Sequence, residues 1–206
     1  YNTVVGDEAG TAITTGDYNV AMGYTAGAAI TTGIKNVAVG GLALDAATTG
    51  QENTAIGHQA LTADTKGQRN VAIGHGSLVT QDFTSATNSY NTAVGYNSGN
   101  AVTTGTNLTA VGGLALDANT TGANNTGIGK SALGANTTGA ANTAVGAETL
   151  DANTTGGENT AVGFKSLGEN TTGSANTVLG YAALDANTTA SNNTAIGRAA
   201  VGLNTT

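Results

Sequence analysis

The chain has no cysteine, no proline and no tryptophan, and only 4% of its 206 residues are aromatic. Without cysteine it forms neither disulfides nor thiolate metal sites. Without proline every backbone N–H can pair, which favours continuous β-structure. Charged residues make up only 9% of the chain and the net charge is −7, which argues against nucleic acid or an anionic membrane surface as a partner. No apolar run is long enough to span a membrane. So few large apolar side chains also exclude a wide globular core.

What the sequence has in abundance is repetition. A string close to Asn-Thr-Ala-Val-Gly begins at residues 2, 19, 36, 53, 70, 91, 108, 125, 142, 159, 176 and 193. Ten of these eleven intervals are 17 residues long, and the interval from 70 to 91 is 21, which predicts a four-residue insertion in the repeat 70–90. The whole chain, 1–206, is therefore expected to be a single repetitive domain of twelve coils. Its ends fall inside repeats and indicate a window cut from a longer polypeptide, or a mature product that abuts other chains.

The consensus repeat is N-T-A-V-G-x-x-A-L-x-A-N-T-T-G-x-x, and residues are described below by their position, 1 to 17, within it. A unit of 17 residues is too short for two helices, and Gly, Thr and Asn are poor helix formers. Glycine at positions 5 and 15 supplies the corners of a coil. The repeat therefore predicts an all-β fold, a parallel β-solenoid or β-roll with one coil per 17 residues. Twelve coils stacked about 4.8 Å apart would make a rod roughly 58 Å long.

Two positions of the repeat supply the predicted apolar core. Position 4 is aliphatic in every copy, and position 9 is Leu in many copies. Where position 9 is Gly, as in Gly27, position 12 is aliphatic, as in Ile30, so the two positions are expected to share one pocket of fixed volume. This exchange predicts an inward Leu116 and an outward Asn119. The predicted core residues of the most regular coils are Val111, Leu116, Ile128, Leu133, Val145, Leu150, Val162 and Leu167.

Asparagine recurs at position 1 in eleven copies, with Leu108 as the exception. Such regularity predicts a ladder of stacked side-chain amides along the rod. The members predicted for the regular part of the chain are Asn125, Asn142, Asn159, Asn176 and Asn193.

The strand at positions 2 to 4 has no charged face. Alternation places positions 2 and 4 on one side and position 3 on the other, and a strand that is apolar on both sides is usually covered on both. A single thin coil covers one side only. We therefore expect a second chain to cover the other, with Thr143, Ala144 and Val145 at or beside a lateral interface. End-to-end continuation would cover the terminal coils.

Tandem N-[TV]-A-[VI]-G-x-x-A-L units joined by T-T-G resemble the head repeats of trimeric autotransporter adhesins, the YadA-like heads, and also repeat regions of phage tail-fibre proteins. The resemblance covers essentially the whole chain, although the adhesin repeat is somewhat shorter and lacks the T-T-G corner. It implies a left-handed β-roll of three intertwined chains, a homotrimer, displayed on a cell surface, on a virion or otherwise outside the cell. It also implies a host or surface receptor of unknown identity.

Candidate chemical sites are sparse. His58 and His75 occupy position 6 of consecutive coils, but nothing completes a metal-ligand set, and a variable exposed column is the better interpretation. Asp117, Asp151 and Asp185 at position 10 alternate with glycine, which would hold them about 9.6 Å apart, too far to share one Ca²⁺. The A-N-T-T corner creates N-x-T sequons as a by-product of the turn, so glycosylation is a minor hypothesis. These sequons begin at Asn119, Asn136, Asn153, Asn170, Asn187 and Asn204. We expect no cofactor, no metal and no enzymatic activity.

These features are compatible with three functional hypotheses. The first is a structural or adhesive extracellular fibre or filament segment, a tail-fibre shaft being one form of it. The second is ice binding through the threonine file at position 13, by analogy with other threonine-bearing solenoids. The third, a solenoid carbohydrate enzyme, would need a carboxylate pair and aromatic platforms, for which Asp82 and Phe83 in the insertion are the candidates. The threonine file comprises Thr120, Thr137, Thr154, Thr171 and Thr188, and continues to Thr205.

Overall fold

The computed structural model describes residues 1–202, in which every helix or strand element is a short β-strand. Asn204 and Thr205, the last members of the sequon and threonine files, lie outside the described residues. The strands are β1 (Thr3–Val5), β2 (Val20–Met22), β3 (Val37–Val39), β4 (Thr54–Ile56), β5 (Gly67–Gln68), β6 (Val71–Ile73), β7 (Thr87–Asn88), β8 (Thr92–Val94), β9 (Thr109–Val111), β10 (Thr126–Ile128), β11 (Thr143–Val145), β12 (Thr160–Val162), β13 (Thr177–Leu179) and β14 (Thr194–Ile196).

Twelve of the strands, one from each repeat, form a single parallel sheet in chain order, with β1 and β14 at its edges. Each residue pairs with the equivalent residue of the next repeat, as Ala144 does with Ala161. The register continues across the longer repeat, where Ala72 pairs with Ala93. The chain is therefore a parallel β-solenoid of about eleven turns with one coil per repeat, and this part of the sequence-based prediction is confirmed.

Each strand of the large sheet directs position 3 inward and positions 2 and 4 outward. The alanines at position 3, such as Ala144 and Ala161, are fully buried, whereas the aliphatic residues at position 4 are half-buried or exposed. The prediction that position 4 belongs to the core of the chain is therefore wrong. The residues concerned, which lie on the outside of the sheet, are Val111, Ile128, Val145 and Val162.

The apolar core lies behind the sheet and is built from position 3 alanines and position 9 leucines. A Cβ on Gly127, which replaces alanine at position 3, would lie 3.3 Å from Leu116 Cγ, so the leucine fills the space directly behind the strand. With leucine there, the space behind the strand is narrow, and position 3 is alanine or glycine in ten of the twelve strands, although Val178 is also accommodated and buried. The fully buried leucines include the four predicted for the core: Leu116, Leu133, Leu150 and Leu167.

Positions 9 and 12 share one pocket, as their exchange in the sequence predicted. In the coil with glycine at position 9, a Cβ on Gly27 would lie only 2.8 Å from Cδ1 of Ile30. In the same way a Cβ on Gly99 would lie 3.4 Å from Cγ2 of Val102. The aliphatic side chain at position 12 therefore occupies the volume that leucine takes in other coils.

The other half of the core is polar, since asparagines at both position 1 and position 12 point inward. Asn119 is fully buried, so the prediction that it faces outward is wrong. Its Oδ1 accepts a hydrogen bond of 2.7 Å from Nδ2 of Asn136 in the next coil, and its Nδ2 donates to the Gly122 carbonyl at 3.0 Å. Burial is possible because both ends of the amide are satisfied. Burial also makes the position 12 asparagines inaccessible to glycosylation in the folded chain.

The predicted ladder at position 1 is present and runs parallel to the one at position 12. The backbone N–H of Asn142 donates to Oδ1 of Asn125 at 2.9 Å, and the Asn142 Nδ2 donates to the Gly156 carbonyl at 2.8 Å. The same pattern continues through Asn159 and Asn176 to Asn193. Each side chain thus bonds its own coil and the next one, which fixes the register of the stack.

Glycine at position 5 is required by close stacking of the coils. Gly146 has a φ of +135°, and a Cβ there would lie 2.7 Å from the backbone carbonyl of Gly163. Any side chain would push neighbouring coils apart. The glycine column therefore sets how closely the coils approach at this corner.

The four-residue insertion lies between positions 12 and 17 of the fifth coil. Its residues extend outward and return through β7, which pairs in parallel with β5 and leaves the large sheet undisturbed. Phe83 within it is buried and folds back onto the coil. The insertion therefore alters positions 12 to 17 of one coil and leaves the register of the large sheet unbroken.

Candidate functional surfaces

The outer side of the large sheet, formed by positions 2 and 4 of every repeat and called the sheet face below, is the most regular surface of the rod. Position 2 is Thr or Val and position 4 is Val, Ile, Leu or Met, so no charged side chain lies on the face. Parallel strands space these side chains about 4.8 Å apart along the rod. Among residues 1–202, the hydroxyls of the position 2 threonines form no hydrogen bond within the chain. The sheet face is thus an ordered array of aliphatic groups and unpaired hydroxyls.

The threonine file at position 13 differs chemically from the sheet face, because its hydroxyls already donate hydrogen bonds to backbone carbonyls. Oγ1 of Thr120 donates to the carbonyl of Thr137 at 3.0 Å, and the contact repeats up the rod through Thr154 and Thr171 to the carbonyl of Thr188. These hydroxyls hold adjacent coils together. The neighbouring threonines at position 14, such as Thr121 and Thr138, are exposed instead.

Position 6 forms an exposed column in which aromatic rings stack along the rod. The rings of His58 and His75 lie 5.3 Å apart between centroids, and His75 and Tyr96 lie 5.6 Å apart. Phe164 and Tyr181 form a second pair at 5.5 Å. We call His58, His75 and Tyr96 the ring stack. Within residues 1–202 no cluster of three or more His, Cys, Asp or Glu side chains is placed to hold a metal ion.

The aspartates at position 10 lie closer together than the sequence predicted. Asp117 and Asp151 both turn toward the intervening Gly134, where a Cβ would lie 3.5 Å and 2.7 Å from their respective Oδ1 atoms. The glycine therefore makes room for carboxylates that converge on it, rather than keeping them apart. Burial, followed by the charge of Glu148, raises the pKa of Asp151, and burial is also the main cause of the raised pKa of Asp117.

A shallow pocket of about 220 Å³ lies on the same side of the rod. Its charged lining consists of Glu148, Asp151, Lys165, Glu169 and Asp185. Lys165 Nζ lies 3.5 Å from a Glu148 carboxylate oxygen. Lys165 therefore partly neutralises this group of surface carboxylates.

The insertion does not offer the platform that a carbohydrate enzyme needs. Asp82 Oδ1 accepts hydrogen bonds from the backbone N–H and the hydroxyl of Thr65, at 3.2 Å and 2.8 Å, and Phe83 is buried. The carboxylate nearby is Asp64, which is buried and bound by Gln81. Asp82 and Phe83 thus anchor the inserted loop to the rod.

Position 17 carries a column of interactions that the repeat pattern did not reveal. Glu52 accepts a 2.8 Å hydrogen bond from Arg69 Nε and lies 3.9 Å from Lys35 Nζ, while the Arg69 guanidinium lies over the ring of Tyr90. The Arg69 hydrogen bond lowers the pKa of Glu52. The only signal in the sequence was the alternation of charge sign over three successive repeats.

Comparison of the chain with protein-family models, with curated proteins and with solved structures gives no match. The part of the chain that the structure describes contains no helix able to cross a membrane.

Proposed function

We propose that the chain is a structural segment of an extracellular or surface-displayed fibre, a repetitive rod that gives reach and presents a surface. The observation that carries the proposal is the unbroken register of the large sheet over all twelve repeats. Every coil contributes the same strand to the large sheet, so the sheet side of the rod is uniform along its length. The resemblance to adhesin head repeats supports this role and the display outside a cell.

The fibre is formed by lateral association of identical chains through the sheet face, with a homotrimer as the expected unit. Thr143 and Val145 lie on that face, and Ala144 lies behind it. An uncharged strip running the length of the rod is the kind of surface that a second copy covers. Aliphatic groups would pack across the contact, and the threonine hydroxyls would find partners there.

The absence of cysteine gives a direct test. Val145→Cys places a single thiol on the sheet face, and Thr138→Cys, at the exposed position 14, is the matched control. Under mild oxidation Val145→Cys should yield cross-linked chains, while Thr138→Cys should stay uncross-linked. Sedimentation should give about three times the mass of one chain. A folded monomer at micromolar concentration that cross-links equally at both sites would refute lateral association.

Ice binding is a second candidate, now through the sheet face rather than position 13. The specific observation is that position 2 hydroxyls are unpaired and occur in every coil from Thr92 to Thr194, whereas position 13 hydroxyls donate to the backbone. Thr143→Lys and Thr160→Lys together should abolish any inhibition of ice recrystallisation, and Thr138→Lys with Thr155→Lys should not. Absence of inhibition by the unmodified protein would remove this candidate.

A further inference from the structure

We propose that the exposed aromatic column at position 6 contains two binding slots for pyranose rings, one at Gly41 and one at Gly113. The proposal rests on the proposed function only in that a displayed rod needs a surface that binds something. It names the class of ligand, neutral saccharides, that this surface takes.

The ring stack ends at glycine on both sides. His58, His75 and Tyr96 cover one another's faces, but the coil before His58 carries Gly41 at position 6, and the coil after Tyr96 carries Gly113. A Cβ on Gly41 would meet only His58 Cδ2 at 3.4 Å and the Tyr24 carbonyl at 3.9 Å, and one on Gly113 only the Tyr96 carbonyl at 3.9 Å. Both outer ring faces of the stack therefore look into open space.

The two slots are bordered by equivalent apolar residues. Gly41 and Gly113 belong to the two copies of the string Gly-Gly-Leu-Ala-Leu-Asp-Ala, so each is followed by a half-buried leucine, Leu42 or Leu114. Each is also preceded, one coil earlier, by an exposed tyrosine: Tyr24 is 57% exposed and Tyr96 is 58% exposed. The tyrosine, glycine and leucine thus occur together twice in one chain, in coils three and seven, while the far side of the slot carries His58 in the first case and Lys130 in the second.

The width of the first slot distinguishes a sugar from a flat aromatic ligand. Tyr24 and His58 are two coils apart, which is about 9.6 Å at the spacing of parallel strands. A flat ring in contact with both walls at about 3.5 Å would need only about 7 Å. A puckered pyranose is thicker, and its C–H faces pack on aromatic rings while its hydroxyls point outward.

A polar group borders the first slot. The hydroxyl of Thr62, in the coil of His58, donates to the carbonyl of Leu42, the residue that follows Gly41. The net charge of −7 makes anionic ligands unfavourable.

The test uses the full chain and four neutral probes: the methyl pyranosides of glucose, galactose, mannose and N-acetylglucosamine. Each is titrated while the NMR signals of the tyrosine and histidine rings are followed. At least one should give saturable shifts at Tyr24, His58 and Tyr96. Gly41→Tyr with Gly113→Tyr fills both slots without a backbone clash, and should weaken binding at least tenfold. Ala140→Tyr, which adds an exposed ring elsewhere, should leave it unchanged, as should Tyr181→Ala, since that ring is covered by Phe164 and Arg198.

No saturable shift with any of the four sugars would overturn the proposal, as would unchanged binding in the filled variant with its circular dichroism intact. Binding of phenol at lower concentration than any sugar would overturn the assignment to saccharides. Sedimentation of the same samples separates this result from the proposed function. A monomer that binds sugar would refute only lateral association, and an associated protein that binds none would refute only the slots.

Discussion

Gln81 donates a 2.6 Å hydrogen bond from Nε2 to Oδ2 of Asp64, and the two residues occupy position 12 of adjacent coils. In regular coils this position holds asparagine, whose amides bond one another in a ladder. Asp64 continues the ladder, with a carboxylate in place of the amide. Its Oδ1 also accepts hydrogen bonds from the backbone N–H groups of Gly67 and Phe83 at 2.8 Å and 3.3 Å. The insertion is thus attached to the rod through a buried acid.

Asp64→Asn should reduce the pH dependence of stability. Burial raises the pKa of Asp64 above its ordinary value, and the hydrogen bonds from Gln81 and the backbone only partly oppose this. Because the folded pKa is the higher one, the contribution of Asp64 to the free energy of unfolding is fully present below the unfolded pKa of about 3.9 and is lost as pH rises through the folded pKa. Asparagine cannot ionise, so this loss should disappear.

The measurement is urea unfolding at pH 4 and pH 7 for both proteins. Asp7→Asn, which removes one exposed carboxylate, is the matched control for the loss of a negative charge. An unchanged difference between the two pH values in Asp64→Asn would contradict the prediction. Asp45, Asp117 and Asp151, whose pKa values are also raised mainly by burial, should leave a residual slope of the same sign.

Leu116→Ala should lower the free energy of unfolding by about 2–5 kcal/mol, because the side chain is fully buried behind the sheet and its removal leaves a cavity. Val111→Ala in the same coil is the contrasting variant. Its side chain lies on the sheet face, so in the unassociated chain it should change stability by only about 0.5 kcal/mol. Urea denaturation of both variants tests the assignment of inside and outside, and equal losses would contradict it.

The sequence predicted the coil, its period, the asparagine ladder and the Gly–Leu exchange, because these depend on repetition and on volume. It did not predict which side of the strand faces inward. The alternation of side chains along a strand predicts that Thr143 and Val145 lie on the same face. It does not predict that Ala144 is the residue facing the core, which depends on the leucine packed behind the strand. Nor did it predict that Asn119 is buried, since that depends on a partner 17 residues away and on the Gly122 carbonyl.

Position 9 also has a left-handed backbone conformation, which the residue types at this position do not reveal. Leu116 has a φ of +52°, in the left-handed region that favours glycine, and Gly27 has nearly the same φ of +57°. Glycine fits the backbone there and leucine fits the core, which is why the two residues alternate at this position.

Asn142→Ala should destabilise the fold by about 1–3 kcal/mol for each buried group that loses its partner. The variant removes the acceptor of the Asn159 backbone N–H, at 3.0 Å, and the donor to the Gly156 carbonyl, at 2.8 Å. Thr138→Ala, at an exposed position of the preceding coil, is the control and should be nearly neutral. Amide hydrogen exchange at Asn159 should accelerate only in Asn142→Ala. Unaltered protection of that amide would show that the ladder is not holding the coils in register.

The shared pocket predicts that two harmful substitutions compensate each other. Gly27→Leu alone places a second large side chain against Ile30 and should cost about 1–3 kcal/mol through overpacking. Ile30→Asn alone empties the pocket and buries an amide, at a cost of a similar size. Together they recreate the Leu–Asn pair of the regular coils, in which Asn119 Nδ2 donates to the carbonyl three residues later. The double variant should therefore lose less stability than either single variant, with a favourable coupling of about 0.5–3 kcal/mol in a double-mutant cycle. Additive losses, measured by urea unfolding of all four proteins, would mean that positions 9 and 12 fill separate spaces.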